Sequence, residues 1–303
     1  LEVRKSLVAL IDSFVGPKTE GFLITYVDDI LVASTREVCE SVISAVKAIW
    51  TCSDGECTYN TQDVTFCALR ITKFISGGYF LDQAPYTSDI IDRHDLQNPS
   101  RVPLSSDECV LPDDHYLKAQ EDEDNRVLAG LTPTQKAMDV NVKQAQSVAG
   151  EVLWCSGRTR LDISYAVSRC CSLATTEPQR AVRIGKCILR YLIATADYGI
   201  YYPSALAVNG QELLFEKEGI KPFDEQFRQD TIVSFSDSSY APEATDNVSI
   251  GGFIVYLAGA AVAWRCSRQE LQSYSTLESE LQAAKEGFTG TLSISTLLGE
   301  LNL

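Results

Sequence analysis

Residues 22–34 read FLITYVDDILVAS, two runs of strand-favouring residues interrupted by a pair of adjacent carboxylates, Asp28 and Asp29. Apolar, β-branched and aromatic residues on both sides of so short a polar break predict an antiparallel hairpin whose chain reverses at the two acids. Helical spacing flanks it on each side. RKSLVALIDSF places Leu7, Leu10, Ile11 and Phe14 on one stripe before Gly16-Pro17 ends the pattern, and REVCESVISAVKAIW repeats it with Val38, Val42, Val46 and Ile49. A sheet with packed helices is the expected start of the fold.

A solvated turn is the plain explanation of a bare Asp pair, because aspartate tolerates turn geometry. The flanks argue for more. Favoured two-residue hairpin loops are Asn-Gly or Asp-Gly, and here a second acid replaces the permissive glycine. Two carboxylates about 4 Å apart repel by roughly 1 kcal/mol in water and about 4 kcal/mol at an effective dielectric near 20. A hard divalent cation reverses that repulsion, since carboxylate oxygens are what Mg²⁺ accepts. A metal platform for phosphoryl transfer is the chemical reading of the pair.

Farther along, residues 57–81 alternate as short strands and SDIIDRHDL opens a helix with Ser88 as its expected N-cap. Residues 99–140 hold Pro99, Pro103, Pro112 and Pro133 and read as an acidic linker or loop. Between Asp107 and Asp124 lie eight acids against one lysine, Lys118. Helices are expected near 144–155, 162–174 and 179–194, then an irregular connection over 203–230. A strand-rich block begins at TIVSFSDSSYA, with two strands joined at Ala258-Gly259 and a long helix from about Thr276, its buried stripe marked by Leu277, Leu281, Ala284 and Phe288.

At 303 residues and 45% hydrophobic, the chain has material for more than one core. Its formal net charge of -15 argues against holding nucleic acid by bulk attraction. Ten cysteines without a CxxC pair, and only His94 and His115 as histidines, point to reduced thiols used as small apolar side chains, not to zinc. No membrane span is expected, because the uncharged run 247–264 is broken by glycines and suits strands. Basic residues gather on one helix: Arg180, Arg183, Lys186 and Arg190 share a side beside an apolar stripe of Ala181, Ile184, Ile188 and Leu192. That side is either a phosphate-tracking surface, to which Arg158 and Arg160 add, or an ordinary solvated face.

Tyr26-Val27-Asp28-Asp29 between apolar strands resembles the YVDD box of reverse transcriptases, and YVDDILVAS resembles copia-type LTR retrotransposon Pol polyproteins. Later segments follow in the same order. FCALRI is similar to the family's primer-grip strand, with Ala68 and Arg70 in place of a glycine and an acid, and QSVAGEVLWCSGRTRLDISYAVSRC resembles its paired thumb and connection helices, with Leu161 in place of proline. SFSDSSYA, SIGGFIVYLAGAAVAW and STLESELQAA resemble the start of a ribonuclease H domain.

This resemblance implies an α+β chain: distal reverse-transcriptase palm and primer grip over 1–98, a linker over 99–140, a helical thumb/connection region over 141–202, a connection over 203–230, and an incomplete ribonuclease H-like α/β domain over 231–303. It implies catalytic and metal-binding roles for Asp28 and Asp29 in primer extension, and for Asp237 and Glu280 in hybrid cleavage, with Glu278 as the competing glutamate. Mg²⁺ is the implied cofactor, with Mn²⁺ as substitute. RNA template, DNA primer, RNA–DNA hybrid and the remaining Pol and Gag segments are the implied partners, in an intracellular setting, either a cytoplasmic particle or the nucleus. The family's other catalytic aspartates are expected before Leu1 and after Leu303, so this chain alone is expected to lack both activities. The rival readings are a decayed or repurposed remnant that packs or binds without catalysis, and an unrelated magnesium-dependent phosphohydrolase.

Overall fold

The computed structural model describes residues 21–75, 77–104, 133–203, 232–241 and 248–301. Six α-helices and three antiparallel sheets occur among them, so the chain is of mixed α+β class. The expected helix over 4–14 and the acid cluster lie outside the described residues.

Strands β1 (Gly21–Tyr26) and β2 (Asp29–Ser34) pair in full register from Gly21↔Ser34 to Tyr26↔Asp29. Helix α1 (Arg36–Ile49) follows at once. Its N-cap Thr35 accepts the Val38 N–H through Oγ1, Glu37 lies in the first turn and Lys47 in the last, which match the partial charges of the helix ends. Cys39, Val42 and Val46 form its buried face, and Leu23 and Val32 of the hairpin pack against Val42 and Val46.

A second sheet has the order β3 (Asp63–Phe66), β4 (Leu69–Lys73), β5 (Tyr79–Asp82), β6 (Gly199–Tyr202). Strand β6 arrives after the helical region and pairs antiparallel with β5, Leu81 opposite Ile200. Sequence spacing places this four-residue strand in the helical region 141–202, so one sheet takes strands from both the 1–98 and the 141–202 regions.

Helices α2 (Ala84–Arg93), α3 (Pro133–Ser156), α4 (Ser164–Leu173) and α5 (Pro178–Ala194) enclose the main core. Ile90, Val152, Ile163, Ile184, Ile188, Leu189 and Leu192 are all buried there. Gly185 brings α5 against α3, since a Cβ would lie 2.8 Å from a methyl of Val148. His94 Nε2 and Arg93 tie α2 to Glu151 of α3 at 2.6 and 2.9 Å.

Two expectations are corrected in this region. Helix α2 starts at Ala84, not after Ser88: Pro85 occupies its first turn and the Asp82 carboxylate accepts the Ala84 N–H. Helix α3 starts at Pro133, so residues 133–140 are helical instead of linker. Proline is at home in a first turn, where no N–H partner is lost.

Strands β7 (Ile232–Ser239), β8 (Ile250–Leu257) and β9 (Ala260–Arg268) form the third sheet, covered by α6 (Thr276–Glu300). The β8–β9 turn at Ala258-Gly259 has φ of 50° and 81°, where glycine is at ease. The expected buried stripe of α6 is overturned. Ser279, Ala283 and Gly287 face the sheet, while Leu277, Leu281 and Phe288 are 78%, 68% and 68% exposed. A Cβ on Gly287 or Gly290 would come within 3.0 Å of Ser234 or 2.8 Å of Phe253, so only small residues permit this close approach. Trp264 Nε1 donates to Ser156 O at 2.7 Å and the Tyr202 hydroxyl to Ala261 O at 3.0 Å, joining this unit to the helices and the second sheet.

No helix among the described residues is long and apolar enough to cross a membrane. Within that run, residues 250–264 supply β8 and the first five residues of β9, in keeping with its strand composition. The nine described cysteines are free. Burial pushes the thiols of Cys155 and Cys170 up to about 11 and about 12, which suits their use as small apolar side chains.

Candidate functional site

The β1–β2 reversal takes two residues, Val27 and Asp28, with Tyr26 paired to Asp29 at its base. Asp28 therefore stands on the turn and Asp29 on the first position of β2, which shifts the expected reversal at Asp28-Asp29 by one residue. Val27 adopts φ 55° and is 92% exposed. Left-handed backbone at a β-branched residue is strained, and such strain persists only where surrounding structure holds it.

Opposite this tip lies a second tight turn. Cys67 and Ala68 join β3 to β4 with φ of 49° and 62°, both left-handed. Cys67 Sγ donates to Asp29 Oδ2 at 3.8 Å. Partial burial, then the negative charge of Asp29 and its hydrogen bond, raise the Cys67 thiol above its ordinary range, while the cation of Arg158 opposes the shift. Arg70, also in the primer-grip-like strand, crosses to β5, where its Nε meets the buried Asp82 at 3.0 Å. An acid at position 70 would instead set two carboxylates side by side.

The end of α3 closes a third side. The Trp154 ring lies 6.4 Å from that of Tyr26, and the Arg158 guanidinium lies 4.3 Å from the centre of the Trp154 ring. Asp28 and Asp29 also line a cavity of about 900 Å³ between the hairpin with α1 and the second sheet, together with Val42, Tyr59, Phe66 and Tyr202.

Oxygen donors at Asp28 and Asp29 suit a hard cation in kind. Among the described residues no group of three or more His, Cys, Asp or Glu side chains is arranged to hold a metal ion. The pair fits part of such a site, not all of it.

The basic helix face is narrower than its spacing predicts. Arg180 is 6% exposed and its guanidinium meets Glu177 at 3.2 Å; Arg190 Nε donates to Asn98 O at 2.7 Å; Arg183 and Lys186 are exposed. Arg160 is buried, donates to both Asp162 oxygens and to Thr195, and lies over Tyr191 and Tyr198. It is a packing hub, with no free donor face for a phosphate.

In the third sheet the structure joins the neighbours of Asp237 and Glu280. Ser238 and Ser279 share a 2.9 Å hydrogen bond, and Ser234 and Ser236 also face α6. Strand alternation sends Asp237 to the opposite face of β7. Asp237 and Glu280 are exposed and have no hydrogen bond or ion pair to each other. Glu278 instead caps its own helix, since its Oε2 accepts the Tyr274 N–H at 2.8 Å while its own N–H reaches the N-cap Ser275.

No family model and no solved structure matches the chain. Curated relatives do. The retrovirus-related Pol polyprotein from transposon RE2 of Arabidopsis thaliana is 22% identical over 285 residues, 93% of this chain and 16% of that protein. The one from transposon RE1 of the same plant is 27% identical over 145 residues, 48% of this chain and 8% of that protein. The chain is thus similar, at low identity, to transposon Pol polyproteins. The chain spans under a fifth of the length of either. It is also 25% identical over 264 residues to the uncharacterized mitochondrial protein AtMg00810 of Arabidopsis thaliana, covering 86% of this chain and 89% of that protein.

Proposed function

We propose that the chain is the distal palm, primer-grip and thumb/connection part of a copia-type RNA-directed DNA polymerase, followed by the start of a ribonuclease H-like domain. The observation that carries this reading is the strained two-residue hairpin that sets Asp28 and Asp29 against the Cys67–Ala68 turn. The names of the relatives support it. RNA template and DNA primer are the proposed partners.

Asp28 and Asp29 would be the ligands of Mg²⁺, or Mn²⁺ in its place, and such an ion would lower the barrier to attack of a primer 3′-hydroxyl on a deoxynucleotide. The six-pair ladder ties the carboxylates to a hairpin that packs on α1 through Leu23 and Val32. Asp237 and Glu280 enter the proposal through the order of segments, as the carboxylates of hybrid cleavage.

Titration of the chain with Mn²⁺, followed by water-proton relaxation, tests the platform. Saturable binding that disappears in the Asp28→Asn/Asp29→Asn variant is expected; binding equal in both proteins refutes it. Primer extension by the frame expressed with its flanking sequence should in turn be lost in Asp28→Asn.

A second reading has its own observation. AtMg00810 is matched over 89% of its length, so a relative of nearly this span bears a name as a protein in its own right. A remnant that packs or binds without catalysis is the corresponding function, and it predicts that Asp28→Asn changes nothing measurable.

A further inference from the structure

Arg158 is exposed at the end of α3, with its guanidinium 4.3 Å from the centre of the Trp154 ring. The indole is in turn 6.4 Å from Tyr26, the residue that pairs with Asp29 at the hairpin tip. The cation acts on the Cys67 thiol in the sense opposite to Asp29 and Asp28, so all four groups share one neighbourhood. Yet among the described residues Arg158 makes no ion pair with either aspartate or with any other acid.

Its backbone is anchored. The Arg158 and Thr159 N–H groups both reach Cys155 O at 3.2 Å, and Thr159 Oγ1 donates to the buried Gln83 at 2.9 Å. Two residues on, Arg160 is locked into Asp162 and Thr195. A cation that merely balanced the helix C-terminus would need neither an aromatic shelf nor such anchoring. A guanidinium held over an indole face can still donate from its N–H edge, the chemistry that recognises a phosphate.

We infer that Arg158, shelved on Trp154, binds a backbone phosphate of a nucleic-acid strand lying across the Asp28–Asp29 tip. This rests on the polymerase reading and names the residue that places the strand there. Arg180 of the basic helix face and Arg160 of the neighbouring loop are buried in ion pairs, whereas Arg158 is exposed beside the hairpin tip.

The test is fluorescence anisotropy of the full chain with a labelled primer–template duplex from 20 to 150 mM salt. Arg158→Ala is expected to weaken binding by roughly five- to tenfold and to reduce the log–log salt slope by about one. Arg158→Lys should keep the slope while binding roughly two- to threefold more weakly, because an ammonium lacks the planar fork. Wild-type binding that Arg158→Ala leaves unchanged, or that only Arg183→Ala/Lys186→Ala weakens, overturns the inference and spares the polymerase reading. Absence of duplex binding by the wild-type chain at the lowest salt overturns both.

Discussion

Cys67 and Asp29, 38 positions apart in sequence, meet across 3.8 Å where two tight turns face each other. The contact has a chemical signature separate from any activity. Burial first, and then the Asp29 charge, hold the Cys67 thiol protonated, and thiolate is the reactive form. Asp29→Asn removes the charge, so Cys67 should react faster with iodoacetamide at pH 8, read by peptide mass spectrometry. An unchanged rate would separate the two turns.

Ala68 sits at φ 62°, where an L side chain is unfavourable by roughly 1–2 kcal/mol. Ala68→Gly relieves that strain and loses some of the gain to unfolded-state entropy. A net rise of about 0.5–1 kcal/mol in urea unfolding is expected.

Glu278 and Glu280 separate by stability. Glu278→Ala breaks the reciprocal cap of α6 and should destabilise the protein by about 1 kcal/mol, whereas Glu280→Gln, at an exposed position without such a bond, should leave the unfolding midpoint in place. Equal losses in the two variants would contradict the capping assignment.

Alkali should unfold the protein through its buried thiols. Cys155 and Cys170 have folded values of about 11 and about 12 against an ordinary 9.0, so the folded state keeps protons that the unfolded chain releases. Their contribution is intact below about pH 9 and declines as pH rises toward 11 and 12. Each thiol steepens the loss by up to about 1.4 kcal/mol per pH unit. Cys170→Ala should flatten the denaturation-midpoint profile between pH 9 and 11, measured by urea titration.

Where local pattern and tertiary role coincide, sequence and structure agree. The hairpin, α1 with its Val42 and Val46 stripe, the Ala258-Gly259 turn and the Thr276 start of α6 are all legible, because each rests on neighbours within one element. Misplaced features depend on partners far away. Spacing puts Leu277, Leu281 and Phe288 on one side of α6 but cannot say that the sheet accepts only Ser279, Ala283 and Gly287. Arg180 has the helical phase of a surface cation, yet Glu177 draws it inward. Trp154 gives no signal as a shelf for Arg158, since aromatic residues at helical spacing ordinarily mean core.

Because β6 supplies the outer strand beside β5, the second sheet is assembled from stretches 117 positions apart, Asp82 pairing with Gly199. Such pairing has high contact order, and its loop-closure entropy is met before any compensating contact forms. The Cys67–Ala68 turn itself sits in the local β3–β4 hairpin, so by contact order the wall that faces the carboxylate tip is expected to form ahead of the outer strand that completes its sheet, when Ile200 comes to lie opposite Leu81.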